Sequence, residues 1–88
     1  MFLSFGAFTK TAVVTNAAAV ALPGTSGKYL VTVNTDCYLR FDGDTATASD
    51  YDVFLPSGAM LLIRPATSLA ASVIRDSADG TISIHEIK

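Results

Sequence analysis

The sequence predicts an all-β chain: a small antiparallel β-sandwich, jelly-roll-like, or a barrel of about seven to eight short strands. Three observations carry this. Apolar and polar residues alternate with a period of two in several short runs, turn residues recur every 8–12 positions or so, and no stretch sustains the 3.6-residue period of a helix. Spacing of that kind is the pattern of a sandwich or small barrel.

The elements follow in order. Lys10 to Thr15 reads as a strand around the β-branched pair Val13-Val14. The run Ala17-Ala18-Ala19-Val20-Ala21-Leu22 is short and meets Pro23-Gly24-Thr25-Ser26-Gly27, a breaker, so it reads as a strand and not a helical turn. In Lys28 to Asn34, Tyr29, Val31 and Val33 share one face. Cys37 to Phe41 follows, with Cys37, Leu39 and Phe41 inward and Tyr38 and Arg40 outward. The short polar connection Asn34-Thr35-Asp36 predicts that these two runs form a hairpin.

Asp42 to Asp50 is polar and small, hence a loop. Tyr51 to Leu55 is a strand ended by Pro56-Ser57-Gly58. Ala59 to Arg64 is apolar on both faces, as expected of a strand covered from two sides, and Pro65 ends it. Leu69 to Ile74 alternates, with Leu69, Ala71 and Val73 on one face; Arg75 to Gly80 is a turn; Thr81 to Glu86 is the last strand, with Ile82 and Ile84 inward. The expected core is therefore Val31, Val33, Leu39, Phe41, Leu62, Val73, Ile82 and Ile84.

Composition bounds the function. The chain has 88 residues, 50% of them apolar and only 16% charged, where about 25% is usual. Its mean hydropathy is +0.43. A domain this small has a high surface-to-volume ratio and should need more polar residues than average. The deficit predicts that part of its apolar surface is covered by copies of itself or by a larger partner; the alternative is a sandwich rich in small residues, whose many Ala raise the apolar count without a sticky surface. The six basic residues are scattered and the net charge is −2, which disfavours nucleic acid and membrane surfaces as partners.

Catalytic and metal motifs are not expected. Cys37 is alone in an alternating run and reads as a small core residue. His85, the one histidine, falls on the solvent phase of its strand, with Ser83 on the same face and Glu86 on the other, so no triad forms. The carboxylates of Asp42, Asp44, Asp50 and Asp52 match no calcium-loop spacing and read as a solvated loop. No phosphate-binding glycine loop is present. The expectation is a non-enzymatic chain without catalytic, cofactor-binding or metal residues.

Domain organisation is a single sandwich over residues 10–88, preceded by an apolar segment, 1–9, that is either an arm onto a neighbour or the first strand. Phe2, Leu3, Phe5 and Phe8 make it too sticky to stand free in water, so they are the expected interface residues. It lacks a cationic start, and Lys10 cuts the apolar run short of a signal sequence. No stretch is long and apolar enough to span a bilayer.

The stretch Tyr38-Leu39-Arg40-Phe41-Asp42-Gly43-Asp44-Thr45-Ala46-Thr47-Ala48-Ser49-Asp50, the turn Leu55-Pro56-Ser57-Gly58 and the closing Gly80-Thr81-Ile82-Ser83-Ile84 resemble a pattern of small tailed-bacteriophage virion β-sandwich proteins. The similarity spans residues 28–88. It implies a capsid decoration (cement) protein on the capsid surface of the virion, present in the host cytoplasm during assembly. Its implied partners are the major capsid protein and itself, as homodimer or homotrimer. The alternatives are a phage tail or neck component, or a small receptor- or carbohydrate-binding β-module; the scattering of Tyr29, Tyr38 and Tyr51 and the lack of Trp argue against a sugar platform.

Overall fold

The computed structural model describes residues 4–41, 44–65 and 71–88. Eight strands form among the described residues: β1 (Phe5–Val13), β2 (Ala18–Val20), β3 (Tyr29–Val33), β4 (Cys37–Arg40), β5 (Val53–Leu55), β6 (Met60–Ile63), β7 (Ala71–Arg75) and β8 (Gly80–Ile87). They pair antiparallel in two four-stranded sheets, β1-β8-β3-β6 and β2-β7-β4-β5. The all-β sandwich is the fold the alternation predicts.

The core lies between the sheets because each contributes its inward phase. The first supplies Val13, Tyr29, Val31, Val33, Ile82 and Ile84; the second supplies Val20, Cys37, Leu39, Leu55, Ala71 and Val73. Phe41 is half-buried against this cluster. The expected core residues Val31, Val33, Leu39, Val73, Ile82 and Ile84 are buried. Leu62 is not: it is 63% exposed, on the outward face of β6.

That reverses the expectation of a strand covered on both sides. β6 is an edge strand, paired only with β3 among the described residues, and its inward Leu61 and Ile63 are half-buried while Met60 and Leu62 face out. An apolar run without alternation fits two covered faces, but none of the described residues covers the outward Met60 and Leu62.

The hairpin expected between β3 and β4 does not form. β3 pairs with β8 and β6 in one sheet, and β4 with β7 and β5 in the other, so residues 34–36 arch over the end of the core. Thr35 is buried in that arch and its Oγ1 donates to the Ala78 carbonyl at 2.7 Å. Asn34 Oδ1 accepts the Thr81 N–H at 2.6 Å, and Asp36 Oδ1 accepts the Ser57 N–H at 2.7 Å. These side chains tie the connection to both sheets. Three-residue hairpins usually carry a glycine in the left-handed region, and this connection has neither glycine nor positive φ. Among consecutive strands only β4 and β5 pair with each other.

Segment 5–9 is strand, not a free arm. β1 pairs with β8 from Phe5↔Ile87 to Val13↔Gly80, with one bulge between Phe5 and Phe8. Phe2 and Leu3 lie outside the described residues, as does Leu69, expected at the start of the strand observed as β7. At Gly58, φ is +85°, the left-handed value that lets its N–H reach the Val33 carbonyl at 2.9 Å and turn the chain from β5 into β6.

Candidate functional site: the outer face of the first sheet

Strand pairing sets Phe8 opposite His85, His85 opposite Leu30 and Leu30 opposite Leu62. Because paired residues share a face, these four form one row across the outer surface of the first sheet. Phe8 is 57% exposed, and Met60, in the next row, 68%. Exposed apolar patches of this kind occur at protein, membrane or ligand contact sites.

The bulge builds one end of this row. Phe5 and Phe8 are three apart, so in a regular strand they would point to opposite faces. The extra residue between them restores both to the outer face, where they flank one imidazole. Phe8 stacks on His85 at 5.5 Å and 22°, and Phe5 meets it edge-on at 5.9 Å and 67°. His85 is thus half-buried between two rings and not a plain solvent-facing residue.

Lys10, Lys28 and Arg64 surround the row, and none of them is in a salt bridge among the described residues. Where β3 begins and β6 ends, an open hollow of about 350 Å³ is lined by Lys28, Tyr29, Leu62, Ile63, Arg64 and Ile87. Its lining is mostly apolar, and its two charged residues are both cations. The first sheet's own carboxylate, Glu86, turns the other way and accepts backbone N–H groups from Thr25, Ser26 and Ala7. The Ser26 and Thr25 bonds, in that order, hold its pKa below the usual carboxylate range.

The second sheet differs in chemistry. On its outer face Tyr38 lies 4.7 Å from Tyr51 and 5.2 Å from Phe54, ring centre to ring centre. Tyr38 and Tyr51, scattered in sequence, therefore meet, while Tyr29 is core. The Tyr38 hydroxyl donates to Asp76 at 2.9 Å, which raises its pKa. Arg40 reaches Asp50 at 2.8 Å and Asp44 at 3.2 Å, and Arg75 reaches Asp79 at 2.6 Å.

Of the expected interface residues, the structure brings Phe5 and Phe8 together. Sequence reading missed Leu30, Leu62, Met60 and His85 as their companions. Leu30 already stood on the outward phase, so its part was legible; the cross-strand register that aligns the row was not. Cys37 is buried and its thiol pKa is pushed up to about 11, first by burial and then by Asp36. Among the described residues no group of three His, Cys, Asp or Glu side chains could hold a metal ion, and no helix is long and apolar enough to cross a membrane. No family model, curated protein or solved structure matches the chain.

Proposed function

We propose that this chain is a non-enzymatic structural protein of a phage virion, a capsid decoration protein that binds and stabilises neighbouring subunits of the major capsid protein. The observation that carries the reading is the outward row Phe8–His85–Leu30–Leu62. Apolar area held against water costs about 25 cal/mol per Å², a cost relieved when a partner covers it. The motif resemblance over residues 28–88 supports the virion as the place where this happens. The Phe5–Phe8–His85 end of the row is the contact assigned to the capsid protein. A staple of this kind gains its effect through many copies, each adding modest contact area across subunit boundaries.

The test is co-assembly with a tailed-phage major capsid protein, followed by sedimentation of the shells. Hundreds of chains per particle are expected for the wild type, and few or none for Phe5→Ser/Phe8→Ser. A dozen or fewer copies per particle points to the tail or neck and overturns decoration. A receptor- or carbohydrate-binding module is the second reading, and the gathered Tyr38–Tyr51–Phe54 cluster favours it. Tyrosine fluorescence that responds to an oligosaccharide titration would select it.

A further inference from the structure

We propose that copies of this chain meet head to tail, the segment Asp50-Tyr51-Asp52-Val53-Phe54 of one copy seating against the hollow between Lys28 and Arg64 of the next. The inference rests on the reading that the first sheet's outer face is covered by protein. It names the occupant of the β3–β6 half and leaves the Phe5–Phe8–His85 end to the capsid subunit.

Charge distribution selects the occupant. Of the aspartates among the described residues, Asp44, Asp50 and Asp52 lie in the β4–β5 connection of the second sheet, and Asp36, Asp76 and Asp79 lie in the connections between the two sheets. The first sheet's outer face carries Lys10, Lys28 and Arg64 and no carboxylate among the described residues, since Glu86 is turned inward. A two-fold contact of first sheet on first sheet would set Lys28 and Arg64 against their own copies. Second sheet on second sheet would meet a face whose Arg40 and Arg75 are already taken up by its own aspartates and would leave Lys28 and Arg64 unmatched. The head-to-tail contact is the one that brings opposite charges together.

Shape and polarity agree with charge. The hollow's lining is mostly apolar, through Tyr29, Leu62, Ile63 and Ile87, and its two charged residues, Lys28 and Arg64, are both cations. The opposing segment presents the exposed rings of Tyr51 and Phe54. Tyr51 is flanked in sequence by Asp50, which holds Arg40 at 2.8 Å yet keeps 69% of its side chain exposed, and by Asp52, whose Oδ2 accepts the Phe41 N–H at 2.7 Å. A ring that enters an apolar hollow while the exposed side of the Asp50 carboxylate meets Lys28 or Arg64 buries apolar area beside a favourable charge contact. The Arg64 guanidinium also suits the face of an aromatic ring.

The experiment is sedimentation velocity on the purified full chain from low to several hundred micromolar, at low and high salt. Two double variants remove one half of the contact each: Lys28→Glu/Arg64→Glu keeps the aromatic segment, and Tyr51→Ser/Phe54→Ser keeps the hollow. All four positions are exposed, and circular dichroism is the check that the variants fold. Wild type is expected to self-associate, and less so in high salt. Each variant alone is expected to be monomeric, its association weakened by at least tenfold. Mixed, they should form a one-to-one dimer that grows no further, because only one intact half remains on each chain. A symmetric contact cannot behave this way.

Three outcomes overturn the proposal: a wild type that stays monomeric throughout, a double variant that associates like wild type, or a mixture that stays monomeric. If a double variant fails to fold, Arg64→Gln alone must still weaken association severalfold. The Phe5→Ser/Phe8→Ser chain should self-associate normally, so a failure of capsid binding and a failure of head-to-tail contact are read separately.

Discussion

The carboxylate of Glu86, near the end of β8, accepts the backbone N–H of Thr25 at 2.8 Å, sixty-one residues away along the chain. The same oxygen takes Ser26 N–H at 3.0 Å, and the other takes Ala7 N–H at 3.3 Å inside the β1 bulge. One side chain thereby fixes the loop after β2 and the bulge that positions Phe5 and Phe8. Gly24, at φ +71°, lies so close that a Cβ there would run into the Glu86 carboxylate.

Acid should therefore loosen this corner. The folded-state pKa of Glu86 is depressed, so its contribution is fully present above the ordinary carboxylate range and is lost as pH falls through the lower folded value. Glu86→Gln, which sets an amide donor among N–H donors, should melt below wild type at neutral pH. The gap should narrow as pH drops below about 4. Thermal melts at both pH values check this; a gap that stays constant through the acid range would show that the charge on Glu86 is not what holds the loop.

Cys37 should behave as a silent core residue. Its side chain is buried and its thiol pKa is raised to about 11, so at pH 8 it is protonated and shielded. A thiol reagent should label the native chain far more slowly than the urea-unfolded chain. In the unfolded chain the thiol ionises near 8.5, so stability should decline as pH rises from there toward the folded value. Equal labelling rates in the two states would contradict the burial.

How the chain crosses from β3 to β4 shows where sequence reading stops. Val33 and Cys37 are four apart and both point inward, which a three-residue hairpin and an arch between sheets satisfy equally. Parity fixed the faces and could not choose the partner strand. The missing glycine in Asn34-Thr35-Asp36 was the available signal against a hairpin. β6 departs from expectation for a related reason: a run apolar on both faces does not tell which residues, if any, lie over each face, and the outward Met60 and Leu62 are exposed. The Phe5–Phe8–His85 cluster was illegible because a bulge alone puts both rings on one face.

The arch carries a prediction of its own. Thr35 is buried with its hydroxyl on the Ala78 carbonyl. Thr35→Val keeps the volume but orphans that carbonyl, and should cost about 1–3 kcal/mol. Asn34→Ala, at an exposed position where water can replace the lost acceptor, should cost about 1 kcal/mol. Urea titration measures both, and the order of the two effects is the test: Asn34→Ala as the worse variant would mean that the arch is held from outside.

The sharpest test of the architecture uses two leucines. Leu39 lies at the centre of β4 with 0% exposure, and Leu62 lies on β6 with 63%. A shared residue type means that transfer energy alone predicts one cost for both, so any difference comes from place. Leu39→Ala opens a cavity between the sheets and should cost about 2–5 kcal/mol, a large part of the stability of so small a domain. Leu62→Ala removes a methyl cluster that the folded chain leaves in water, and should change stability by about 0.5 kcal/mol or less. Its cost should appear in association instead, because Leu62 lines the hollow and ends the row from Phe8. Urea titration of the dilute chain and sedimentation of the concentrated one separate the two quantities. A Leu62→Ala chain that unfolds as readily as Leu39→Ala would place β6 inside the core; one that folds and associates like wild type would remove this face from the interface.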